Sequence, residues 1–397
     1  MRWEVKPLGA VCDVSSGSTP KRNQKDFWVG GDIPWFTVKD IREQGREIRW
    51  TQESVTQKAL DETSLNVVPE GSVLLCCTAS VGEYALTRIP TTFNQQFSGL
   101  TPTEDVAPRF LMFWCSTLKK ELLSLSGKAT VDFVSQTKLK NIVIPIPPLE
   151  EQERIVEVLD EAFAAIDKAK ANIERNLTNA RELFQSRLND IFSNPLEDWE
   201  VKPLNELGRV HSGGTPSRGK STFWNDGTIE WYSSRELNQE WTLPSKEKIT
   251  IEGLENSNAK LFLAGSLLIG IYDTAAMKMS ILTEESAFNQ AIVGVDFDEN
   301  IDVRFMRFQL MSMSDEIRSQ RRGTRQQNLS LKKIKDVSVF VPELAVQKEV
   351  LSELLQTEGW INGLISCYQT ELDNLEELRQ SILEHAFEGR LTEPVAA

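Results

Sequence analysis

Two stretches of the chain carry apolar residues at alternating spacings of three and four. Ile155, Leu159, Ala162, Ile166, Ala169 and Ile173 form the first run. Leu351, Leu354, Ile361, Ile365, Tyr368, Leu372, Leu375 and Ile382 form a similar second run, interrupted by Glu358 and Arg379. This period marks a helix with a coiled-coil seam. Each run starts just after a proline-rich boundary, Pro145-Ile146-Pro147-Pro148 and Pro342, where helices commonly begin. Neither contains an interior proline, and Asn194-Pro195 and Gly389 supply the stops. A helix from about Pro148 to Ser193 is roughly 70 Å long at 1.5 Å per residue, too long for one small domain to bury. The two helices are therefore expected to pack antiparallel on each other, with Ile155, Leu159, Ile166 and Ile173 meeting Ile361, Ile365, Tyr368, Leu372 and Leu375. Two separate helical hairpins are the competing arrangement.

The segments between these helices have a different pattern. Gly71-Ser72-Val73-Leu74-Leu75-Cys76-Cys77 and Gly265-Ser266-Leu267-Leu268-Ile269-Gly270-Ile271 are short apolar runs opened by glycine, typical of buried strands. Ile142 to Pro145 and Val337 to Val341 read as further strands, while Phe110 to Trp114 and Phe305 to Phe308 read as short helices on a sheet, their aromatic residues in the core. These elements recur in order. Trp3-Glu4-Val5-Lys6-Pro7-Leu8 returns letter for letter at Trp199 to Leu204, 196 positions on. Ser16-Gly17-Ser18-Thr19-Pro20 is answered by Ser212-Gly213-Gly214-Thr215-Pro216, and Phe93-Asn94-Gln95 by Phe288-Asn289-Gln290. A duplication preserves order and approximate spacing along the whole unit. The fold class expected is mixed α/β (α+β) globular domains, duplicated, joined by two long antiparallel coiled-coil helices with pseudo-twofold internal symmetry. The domains run 1–146 and 198–341, and the helical segments 147–197 and 342–397.

Composition changes this picture in one respect. The net charge of −14 argues against a nucleic-acid ligand when taken whole. The two helical segments, however, carry −5 and −8 of it, leaving both globular segments nearly neutral and free to present local basic faces. Acidic helices repel phosphate and suit protein partners instead. No apolar run of 18 residues exists, and the N-terminal stretch lacks the features of an export signal, so a cytoplasmic protein is expected. Cys12, Cys76, Cys77, Cys115 and Cys367 show no C-x-x-C spacing and read as buried small hydrophobes in a reducing compartment. With His211 and His385 the only histidines, zinc binding and histidine catalysis have little material.

No phosphate loop of the Walker type, G-x-G-x-x-G or H-E-x-x-H is present. The Glu-x-Lys of the repeated hexapeptide resembles part of a nuclease site, but Asp198 lies too close to Glu200 to supply the separate acidic strand such a site needs. No catalysis and no metal are expected. Recognition chemistry is better represented. Loops rich in Ser, Thr, Gly and cations hold phosphate oxygens through N–H groups, hydroxyls and charge. Ser16, Gly17, Thr19, Lys21 and Arg22 form one such loop, and Ser212, Gly213, Gly214, Thr215, Arg218 and Lys220 its partner. Lys128 and Thr130 are answered by a richer cluster, Arg321, Arg322, Arg325, Gln326 and Gln327, with Arg318 nearby. Arginine pairs bidentately with guanine and glutamine with adenine, so this cluster is the foremost base-reading candidate; a solvated basic patch is the alternative. The stretches Thr78 to Tyr84 and Tyr272 to Met279, including Tyr272 and Lys278, differ strongly between copies, as two readers of different sequences would.

On these motifs the chain resembles the specificity subunit of type I restriction-modification systems. The resemblance spans both copies and includes Pro147-Pro148-Leu149-Glu150-Glu151-Gln152 and Pro342-Glu343-Leu344-Ala345-Val346-Gln347 at the helix starts. It implies two target recognition domains, each reading half of a bipartite site in double-stranded DNA, with the helices fixing the gap and docking two methyltransferase subunits. It further implies that S-adenosylmethionine, ATP and Mg belong to partner modification and restriction subunits, none being bound by this chain. The first loop has Ser18 where the second has Gly214, which leaves open whether the two share one geometry. A stand-alone sequence-specific DNA-binding protein without an enzyme partner, and a scaffold that binds only proteins, remain as other readings.

Overall fold

The computed structural model describes residues 3–126, 133–195, 199–319 and 328–391. The first repeat contributes strands β1 (Glu4–Pro7), β2 (Cys12–Ser16), β3 (Ile33–Phe36), β4 (Glu47–Ile48), β5 (Glu53–Val55), β6 (Val73–Cys76), β7 (Tyr84–Thr87), β8 (Thr92–Phe93), β9 (Phe97–Pro102) and β10 (Val143–Ile146). Helices α1 (Pro108–Thr117), α2 (Gln136–Lys140) and the long α3 (Leu149–Ser193) accompany them. The second repeat gives β11 (Glu200–Pro203), β12 (Gly208–Ser212), β13 (Ile229–Tyr232), β14 (Glu247–Ile249), β15 (Leu267–Gly270), β16 (Met279–Ile281), β17 (Ser286–Phe288), β18 (Ile292–Phe297) and β19 (Ser338–Val341). Its helices are α4 (Val303–Ser312), α5 (Leu331–Lys335) and the long α6 (Leu344–Phe387).

The repeated hexapeptide is a strand in both copies. It pairs antiparallel with the last strand before each long helix, Val5 opposite Pro145 and Val201 opposite Phe340. Its alternation is weak because the ribbon has only two strands. The glycine-led apolar runs are β6 and β15, buried along their whole length at the centre of sheets ordered β2-β9-β6-β7-β4 and β12-β18-β15-β16. A strand covered on both faces needs no alternation, which is why these runs are continuously apolar. A smaller mixed sheet follows the same plan in each copy, β5-β3-β8 and β14-β13-β17.

The chain forms two compact units, one of residues 1–173 and 369–397, the other of residues 174–368. The division passes through both long helices, so it does not follow the four sequence segments. In unit 1, Phe110, Leu111, Phe113 and Trp114 of α1 share a core with Ile155, Leu159, Phe163 and Ile166 from early α3 and Leu383 and Ala386 from late α6. Arg379 pairs with Asp167 at 2.9 Å and lies 4.0 Å over the Phe163 ring. In unit 2, Phe305, Phe308 and Leu310 of α4 pack with Leu188 and Phe192 from late α3 and Leu351 and Leu354 from early α6. Arg187 there pairs with Glu353. Each unit thus joins the early part of one helix to the late part of the other, the antiparallel pairing that the seams predict. Ile173 and Ile361 are buried, Ile365, Tyr368 and Leu372 half-buried, and Leu375 packs against the unit 1 core.

The helix starts explain the repeated Pro-x-x-Leu-x-x-Gln pattern. Gln152, fully buried, accepts from the Ala107 amide at 2.8 Å and donates to the carbonyls of Asp105 and Pro147. Gln347 repeats this with the Asp302 amide and the carbonyls of Asn300 and Pro342. Buried amide groups must be bonded in this way or they cost stability. Burial pushes the thiols of Cys12 and Cys77 up to about 12 and about 11, and those of Cys76 and Cys115 also upward, as inert core residues require. Cys367 departs from the expectation: it stands exposed on α6, at a position facing away from the seam.

Candidate nucleic-acid interface

In each unit the loop after the second strand is held by its neighbours in the same way. Gly17 N–H donates to Phe97 O and Ser18 N–H to Phe93 O, at 3.1 and 2.9 Å. In unit 2 Gly213 N–H donates to Ile292 O and Gly214 N–H to Phe288 O at the same two distances. A Cβ on Gly17 or Gly213 would stand 2.0 or 2.1 Å from a carbonyl oxygen of the Phe-Asn-Gln turn, so only glycine permits this approach. Ser18 and Gly214 therefore occupy one geometry. They differ in what lies beyond: Ser64 reaches Ser18 in unit 1, whereas in unit 2 the Asn258 backbone stands where a Gly214 Cβ would project.

An aromatic brace fixes the far side of the loop. Trp28 Nε1 donates to Lys21 O and Trp35 Nε1 to Ser18 O, while Trp224 and Trp231 do the same for Ser217 O and Gly214 O. The Arg22 guanidinium lies 3.9 Å over Trp28 and 4.6 Å over Trp35 and pairs with Glu53. Arg218 lies 3.7 Å over Trp224 and 5.1 Å over Trp231 and grips Glu247, Nη2 to Oε2 being 2.8 Å. Arginine's planar fork suits a stack and a carboxylate together. Both sequence-predicted arginines are thereby committed to the frame of the loop. Lys21, Lys220 and Thr215 stay exposed, with the Lys220 ammonium 4.9 Å from the Phe223 ring. Thr19 and Thr215 donate to Gln95 and Gln290, bringing the exposed amides of the Phe-Asn-Gln turn beside the loop.

The other predicted stretches join this turn through backbone bonds. Cys77 N–H donates to Gln96 O at 2.8 Å and Val134 N–H to Cys77 O at 2.9 Å. In unit 2 Ile271 N–H donates to Ala291 O and Leu329 N–H to Ile271 O, again at 2.9 and 2.8 Å. The loop after β2 or β12, the Phe-Asn-Gln turn, the loop after β6 or β15 and the segment leading into α2 or α5 thus form one contiguous cluster in each unit. Tyr272 bridges Asn328, Lys278 donates to Asn238, and Ala79 and Met277 adopt φ of 64° and 63° in the tight turns. Arg318 donates to Ala276 O and pairs with Asp315, tying its helix to the same loop. Lys128, Thr130, Arg321, Arg322, Arg325, Gln326 and Gln327 lie outside the described residues.

Several residues of this cluster were not singled out by the sequence. Gln95 and Gln290 were visible only as a repeated motif. Ser135 and Ser330 cap the short helices α2 and α5, whose Lys138, Lys140, Lys332, Lys333 and Lys335 bring cations up to it. Gln136 of α2 donates to Ser16 Oγ at 2.7 Å. Five-residue helices leave too short a periodic signal to be found from sequence. In unit 2 the His211 imidazole is held below its usual range by burial, followed by Lys260, Lys335 and Arg209.

Comparison with known proteins agrees with this organisation. Residues 1–177 and 196–365 match the family model described as the type I restriction modification DNA specificity domain. The MjaIX type I restriction enzyme specificity subunit of Methanocaldococcus jannaschii is 29% identical over 283 residues, covering 67% of this chain and 65% of that protein. Matches to two Escherichia coli specificity subunits span 42% and 48% of those proteins' lengths. A solved structure titled for complex assembly and conformational transition of the type I R-M system superposes with a TM-score of 0.81 at 18% identity, covering 98% of both chains. The crystal structure of the HsdS subunit from Thermoanaerobacter tengcongensis superposes at 0.59 with 17% identity, covering 98% of this chain and 97% of that one.

Proposed function

This chain belongs to the type I restriction-modification DNA specificity family, and from that premise we propose that each unit reads one half of a bipartite site in double-stranded DNA. The observation that carries the reading is the duplicated loop cluster: one frame of glycine contacts, Trp–Arg–Glu brace and Phe-Asn-Gln turn, built twice, carrying variable loops of different sequence. A rigid scaffold with divergent loops reads different bases with the same backbone geometry. The Arg321 to Gln327 segment supplies the guanine and adenine chemistry in unit 2. In unit 1 the corresponding segment holds Lys128 and Thr130 and has less capacity for direct readout.

The long helices set the gap between half-sites and dock the modification subunits. Two observations support a protein-binding role. Their segments are acidic, and α6 exposes Trp360 at 69% with Leu364 at 41% one turn on, an apolar pair of the kind that anchors protein interfaces. Catalysis belongs to the partners, which bring S-adenosylmethionine for adenine methylation and, where restriction subunits join, ATP and Mg. Co-expression with the neighbouring methyltransferase, followed by genome-wide mapping of methylated adenines, tests the reading. A split motif with constant internal spacing is expected; an uninterrupted motif, or none, would refute it.

A further inference from the structure

The second unit contains a cationic site that its sister lacks. His211 and Arg209 lie on β12, Lys260 on the loop before β15, and Lys335 at the end of α5. The Lys260 ammonium is 3.2 Å from His211 Nδ1. With Nδ1 accepting from that ammonium, the ring proton resides on Nε2 and is available to a ligand. Lys335 and Arg209 act on the same imidazole, and a carboxylate, Asp296, stands 3.4 Å from Arg209, which also donates to Leu261 O and covers the Phe262 ring. Among the described residues the Lys260 ammonium meets the imidazole rather than an acid. In unit 1 the corresponding positions are Asp13, Ser15, Asn66 and Lys140, a set with no net charge. Asn66 there simply donates to Ser16 O, closing the loop.

Like charges gathered around one imidazole raise the free energy of the unliganded protein, and an anion relieves it. The site adjoins Ser212 and Gly213 of the recognition loop and lies on the strand that carries it. Resting on the DNA-reading function above, we propose that His211, Lys260 and Lys335 form a clamp for one backbone phosphate of duplex DNA, present in unit 2 alone. It positions that half-site without reading its bases. Binding favours the imidazolium, so affinity for this half-site rises as pH falls.

With two histidines in the chain, the clamp is directly observable. The full chain, labelled at histidine, is titrated by NMR alone, with a random-sequence duplex pool, and with inorganic phosphate at equal phosphate concentration. The duplex should raise the His211 midpoint by about one pH unit, a tenfold change in protonation ratio, and leave His385 unmoved. In the complex with its modification subunits, Lys260→Ala with Lys335→Ala should lower the salt slope of DNA binding by about two, one per cation, at unchanged base preference. His211→Gln should keep binding and abolish its pH dependence. DNA binding with an unmoved His211 and an unchanged slope overturns the clamp alone, as does a response to inorganic phosphate but not to duplex. Absence of DNA binding by chain and complex alike overturns the function itself.

Discussion

At the scale of single residues, sequence assigns chemistry by residue type, and Arg22 and Arg218 show where that fails. Both sit in loops suited to phosphate, yet each is spent on two tryptophans and a glutamate. Their partners lie 6 to 31 positions away, and nothing in the loop itself signals them. The brace gives a sharp expectation for Arg218→Lys. Lysine keeps the charge but has neither the fork nor the plane. Half-site affinity in unit 2 should fall on the order of tenfold, to about the level of Arg218→Ala, while the bases preferred stay the same. Retention of full affinity by lysine, measured with the assembled complex, would make Arg218 a direct phosphate contact instead.

At the scale of elements, α1 and α4 are counterparts that have diverged inside. Met112 and Trp114 in unit 1 become Arg307 and Gln309 in unit 2, Gln309 fully buried and Arg307 half-buried. Arg307 Nε and Nη1 and both Gln309 amide atoms find no partner among the described residues, and a pocket of about 340 Å³ opens beside Gln309, lined by Asn189, Phe192 and Phe340. Burial raises the Glu358 carboxyl above its usual range even though Arg307 opposes the shift. A carboxyl whose folded pKa is raised contributes stability that is full below its unfolded pKa and is lost as pH rises through the folded value. Glu358→Gln should therefore stabilise unit 2 more at about pH 8 than at about pH 5, where the parent carboxyl is closer to neutral. Urea unfolding of parent and variant at both values checks the sign; an equal difference at the two would show that Glu358 keeps an ordinary pKa.

At the scale of the whole molecule, the long helices belong to both units, so their length is a candidate ruler for the DNA gap. Removing Ala171–Glu174 and Ser366–Gln369, about one turn from each, shortens each helix by about 6 Å. This removal spares Ile155, Leu159 and Ile166 in the unit 1 core and Leu351 and Leu354 in the unit 2 core. Methylation mapping should show the internal gap reduced by roughly two base pairs, at 3.4 Å each, with both half-sites intact. Altered half-sites at a constant gap would assign the spacing to some other element.

By itself the sequence determined the duplication, the long helices and the strands at the centre of each sheet. These rest on local periodicity and on order along the chain, which survive without knowledge of any contact. It also located the two matching loops after β2 and β12, because their glycines are dictated by backbone approach close at hand. Tertiary structure alone decided which cations are bound into the frame and which stand open to a ligand. Arg218 and Lys260 are equally basic in sequence, but one meets Glu247 and two indoles, whereas the other, among the described residues, meets an imidazole and no acid. Charge availability depends on partners brought together by folding, and residue spacing carries no record of them.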